Sequence, residues 1–65
     1  KLAEAIEALK KAVELKPDYR DALVTLSDFY FKNKQKKEAL EIVDQLLQKA
    51  PVDEDLLQRK EQFSK

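Results

Sequence analysis

Thirteen acidic and thirteen basic side chains carry most of the reactive chemistry in this 65-residue chain, which has no His, no Cys and no Gly. Paired carboxylates such as Glu4/Glu7 and Asp53/Asp55 could mimic a catalytic acid and base. That job needs a further group. A general acid needs surroundings that shift its pKa, and a zinc shell needs imidazole or thiolate ligands that this chain lacks. Ser27 and Ser64 have no imidazole to act as their base. Without Gly there is no phosphate-cradling loop. The pairs therefore read as helix-surface and capping charges. No enzyme activity, cofactor or metal is expected.

Two other groupings concern binding rather than catalysis. Lys32, Lys34, Lys36 and Lys37 form a basic cluster that would attract phosphates without regard to sequence. It has no stacking platform of its own, and the net charge of the chain is zero. It reads as a solvated turn, so no nucleic-acid partner is expected. The more specific grouping is Val24, Asp28 and Phe31, at i, i+4 and i+7 of one helix face. Asp21, Thr25 and Lys32 share that side, opposite Leu23, Leu26, Ser27 and Tyr30. A Val and a Phe on a nominally exposed face suggest a partner-binding surface. The competing reading is that Phe31 covers a joint between helices. Asp55, Arg59 and Gln62 of a later helix would extend the same surface.

Four helices must position these residues. Leu2, Ala5, Ile6, Leu9, Ala12 and Val13 keep the 3.6-residue period, predicting a helix over residues 2–15. Pro17 stops it, and Asp18 is the expected N-cap of a second helix over residues 19–31. Residues 32–35 form the turn. Ala39, Leu40, Val43, Leu46 and Leu47 define a third helix over residues 36–49, which Pro51 ends. Asp53 caps a fourth over residues 54–64, with Leu56, Leu57 and Phe63 apolar. No period-2 run predicts a strand. The longest uncharged stretch, residues 22–27, is six residues, against the roughly 20 that span a membrane. No membrane association is expected.

The chain also repeats itself. A shift of 34 residues pairs residues 1–31 with 35–65, and seven of those pairs are identical, Pro17/Pro51 and Ala5/Ala39 among them. Six more pairs are apolar in both copies. This pattern resembles the tetratricopeptide repeat family, a 34-residue unit of two antiparallel helices with the signature W-x2-L-G-x2-Y, then A-x3-F, then P. The first four places fall on Leu23, Leu26, Ser27 and Tyr30; the last three fall on Ala39, Val43 and Pro51. Ala5, Leu9 and Pro17 repeat the last three one unit earlier, with Ala12 as a further small residue.

The resemblance implies an all-α, solenoid-like array of antiparallel helix-turn-helix repeats. Residues 1–17 would be the second helix of a partial repeat, 18–51 one complete repeat, and 52–65 a terminal solvating helix. Lys60 and Ser64 stand where the pattern wants Leu and an aromatic. The resemblance further implies a non-enzymatic protein-interaction scaffold that binds a peptide or helical segment in a concave groove. The groove residues are Asp21, Val24, Thr25, Asp28, Phe31, Lys32, Asp55, Arg59 and Gln62. A basic clamp for a C-terminal carboxylate is not expected, because Val24 and Asp28 hold two of its places and only Arg59 matches. Asp21 and Asp28 favour a basic or apolar segment.

A second expectation is self-association. A first helix without its partner would leave the stripe Leu2, Ile6, Leu9 and Val13 incompletely covered, and another copy could pack on it. The sequence leaves the compartment open; a soluble chain is expected, with the cytoplasm favoured.

Overall fold

The structure is a computed structural model that describes residues 1–16 and 19–65. It contains four helices: α1 (Leu2–Leu15), α2 (Arg20–Lys32), α3 (Lys36–Lys49) and α4 (Glu54–Phe63). No strand occurs among the described residues. The bounds follow the expected ones within a residue, and α2 starts and ends one residue late. The assignments made for Pro17 and Asp18 lie outside the described residues. Tyr19 holds the N-cap position of α2 with extended backbone and no side-chain cap.

Each helix packs on its neighbour in sequence: α1 on α2, α2 on α3, α3 on α4. The shared core is Ile6 of α1, Val24, Leu26 and Tyr30 of α2, Ala39, Val43 and Leu46 of α3, and Leu56 and Phe63 of α4. Burial of each large member stabilises the fold by about 1.5–3 kcal/mol. Small residues lie where α2 and α3 pack. Ser27 and Ala39 are both fully buried. The Ser27 hydroxyl donates to the Val24 carbonyl oxygen at 2.7 Å, so its burial leaves no donor unmet.

The two inter-helix turns with complete description are built differently. After α2, Lys34 takes a left-handed conformation at φ 62°. Its N–H donates to the Phe31 carbonyl at 3.1 Å, and the Gln35 N–H donates to the Tyr30 carbonyl at 2.8 Å. This is a Schellman closure with lysine in the place that usually takes glycine. Before α4, Asp53 is the N-cap: its Oδ1 accepts from the Leu56 N–H at 3.3 Å. Its Oδ2 accepts from Arg20 Nη2 at 2.7 Å, tying the start of α2 to the start of α4.

Candidate interaction groove

Cross-helix pairs fix how α2 and α4 lie together. Arg20 meets Asp53, Asp28 meets Arg59, and Phe31 meets Phe63, in the same order along both helices. The two helices therefore run parallel. Between them is an open groove of about 400 Å³ lined by Asp28, Phe31, Lys32, Asp55, Gln58, Arg59, Gln62 and Phe63.

The groove has an aromatic part and a polar part. The Phe31 and Phe63 rings stack with centroids 4.5 Å apart and planes 19° from parallel. Phe63 is buried and Phe31 half-buried, so the pair joins the core to the groove. Phe31 thus covers the α2–α4 joint, the competing reading of it, and its ring also forms part of the groove lining. Beside the rings, Arg59 grips Asp28 with two hydrogen bonds, Nε to Oδ1 at 3.1 Å and Nη2 to Oδ2 at 3.2 Å. The fork-to-carboxylate match makes this the best-formed ion pair across the groove. The adjacent Asp28 carboxylate pushes the Arg59 guanidinium pKa up, so Arg59 stays charged at any working pH. Lys32 lies over the Phe29 ring, its ammonium 5.9 Å from the centroid.

Six of the nine expected partner-binding residues line the groove: Asp28, Phe31, Lys32, Asp55, Arg59 and Gln62. Asp21 and Thr25 are exposed but lie outside its lining. Val24 corrects the sequence expectation. It is 9% exposed and belongs to the core cluster with Leu56 and Phe63. The physical reason is that α4 runs alongside α2 and removes that flank from solvent. Gln58 and Phe63 were not anticipated as groove residues. The signal for Gln58 was present: a 34-residue shift carries Val24 onto it.

The self-association stripe also changes. Ile6 is 5% exposed inside the chain's own core. Leu9 and Val13 pack against that core, and Leu2 is half-buried. The apolar face of α2 covers this stripe, so it is not the free surface of α1. The open side carries Ala3, Glu4, Glu7, Ala8 and Lys11, around a shallow recess of about 460 Å³.

No helix among the described residues is long and apolar enough to cross a membrane. Searches of curated proteins and of solved structures find no match. A family model described as tetratricopeptide repeat matches residues 1–61. That span takes in all four helices but for the last two residues of α4, and with it this chain belongs to the tetratricopeptide repeat family, whose helical arrays are non-enzymatic scaffolds for protein–protein interaction.

Proposed function

We propose that this chain is a peptide-binding module whose ligand lies in the α2–α4 groove. The observation that carries this reading is the convergence of polar side chains from two parallel helices around a stacked Phe pair. Gln58 and Gln62 are one turn apart on α4 and exposed. Their amides each offer a donor and an acceptor, which suits a peptide backbone. The Phe pair supplies apolar contact for a side chain. A groove of this volume is at the small end of the range of ligand sites, so micromolar affinity, on the order of 8 kcal/mol, is expected. The test fills the groove: Gln58→Trp with Gln62→Trp should abolish capture of peptides selected from a random display library, with helicity by circular dichroism unchanged. Capture that persists at wild-type affinity would sink the reading.

A second reading, self-association through α1, rests on a contrast within the repeat. Ala39 and Val43 of α3 are fully buried and Leu46 nearly so. Their 34-residue counterparts Ala5, Leu9 and Ala12 of α1 are only half-buried. An antiparallel α1 pair about a two-fold axis beside Glu7 and Ala8 would set Glu4 of one copy against Lys11 of the other. It would likewise set Lys1 against Glu14, so the face is self-complementary in charge away from the axis. Light scattering at concentrations about a hundredfold apart should then give a mass rising from 7.6 kDa toward twice that value. In that case Ala8→Glu should hold it at one chain. A mass of one chain throughout would refute this reading and leave the groove reading untouched.

A further inference from the structure

We infer that the α2–α4 groove is charge-polarised and takes an extended segment carrying a cation and an anion four residues apart. The inference rests on the groove reading above and specifies the ligand. Because Asp28 and Arg59 neutralise each other through two hydrogen bonds, the middle of the groove offers no net charge. The ends differ. Asp55 stands one turn before Arg59 on α4, and Lys32 stands one turn after Asp28 on α2. Both line the groove and both are exposed. Among the described residues neither is held in an ion pair, and Asp55 exerts only a longer-range attraction on Arg59. Since α2 and α4 run parallel, Asp55 marks an acidic end and Lys32 a basic end.

The separation sets the ligand's spacing. Eight residues of helix lie between the two levels, about 12 Å at 1.5 Å per residue. An extended chain rises about 3.3 Å per residue and covers that distance in about four residues. An even separation also places both side chains on the same side of the ligand, facing the groove. A cationic side chain then meets Asp55 and an anionic one meets Lys32. Gln58 and Gln62 stand between them for the ligand backbone. A helical ligand would need its charges about eight residues apart instead.

The test uses the full chain and capped peptide libraries, randomised except at two positions, read by fluorescence anisotropy. The libraries are Lys-x3-Glu, Glu-x3-Lys, Gln-x3-Gln and the wider Lys-x7-Glu and Glu-x7-Lys. One of the two x3 zwitterionic orders should bind about fivefold tighter than Gln-x3-Gln, and the advantage should shrink at high salt. Which order wins reports the ligand's direction. Asp55→Lys combined with Lys32→Glu should reverse the preferred order. Because a lysine in the first turn of α4 and a glutamate in the last turn of α2 both oppose the helix dipole, the neutral single variant Lys32→Gln is run beside it. It should lose the zwitterion preference while helicity by circular dichroism is unchanged. Equal binding of neutral and zwitterionic libraries, an unchanged order preference in the swapped variant, or preference for an x7 library would overturn this inference alone. Binding of none of the libraries would overturn the groove reading and this inference with it.

Discussion

Asp53 uses both carboxylate oxygens, one on the Leu56 N–H and one on Arg20. The Arg20 hydrogen bond, helped by the Leu56 N–H, holds its pKa below the ordinary value against a smaller opposing effect of desolvation. A carboxylate with a depressed folded-state pKa adds stability that is fully present above its unfolded pKa, about 3.9. That contribution disappears as pH falls through the folded value. Asp53→Asn keeps a capping side chain but removes the titration. The variant should therefore lose less stability than the native chain on acidification from about pH 6 to about pH 3, read as urea midpoints. Equal losses would show that Asp53 carries no acid sensitivity. The Asp28–Arg59 pair sets a second expectation. Both side chains are about a third exposed (36% and 29%), so solvent screening limits the pair. A double-mutant cycle with Asp28→Ala and Arg59→Ala should give a coupling of about 0.5–1 kcal/mol. The Asp53 cap was legible because capping is a local rule. Its Arg20 partner, 33 residues away, was not, because a long-range ion pair leaves no periodic trace.

Helix bounds came through in the sequence because apolar spacing and proline act within one or two turns. The face assignment of α2 did not fully come through. A one-stripe reading suits a helix with neighbours on one side only. Here α1, α3 and α4 all border α2, so Val24 is buried although it lies away from Leu26 and Tyr30. The same double flanking puts Phe31 into both a joint and a groove. The turn after α2 was read correctly as a turn, but not as a Schellman closure, because its left-handed residue is lysine rather than glycine. A β-carbon in that conformation costs on the order of 1 kcal/mol. Lys34→Gly should therefore stabilise the chain by about 0.5–1 kcal/mol, net of the extra freedom glycine has when unfolded. Chemical denaturation with an unchanged m-value would show it. A destabilised Lys34→Gly variant would mean that Lys34 makes compensating contacts.

At the scale of the whole molecule, the 34-residue repeat explains both what is closed and what is open. α3 has a neighbour on each side and buries Ala39 and Val43 completely, whereas α1 packs chiefly on α2 and leaves Glu4, Glu7, Ala8 and Lys11 exposed. The repeat was legible from residue identities, but of the counterparts 34 residues apart only Asp28 and Gln62 line the groove together. Its chemistry was not legible. Pairing of Asp28 with Arg59 cancels the acidic character that Asp28 suggested and leaves Asp55 and Lys32 as the charges of the groove. The most direct measurement of the central claim is a nitrogen-15 NMR titration of the chain with a peptide selected for binding. A ligand in the groove should confine the shifts to the Gln58 and Gln62 side-chain amides, the Arg59 Nε–H and the backbone around Asp28 and Lys32. Shifts centred instead on Glu4, Glu7, Ala8 and Lys11, with the groove signals unmoved, would contradict that claim.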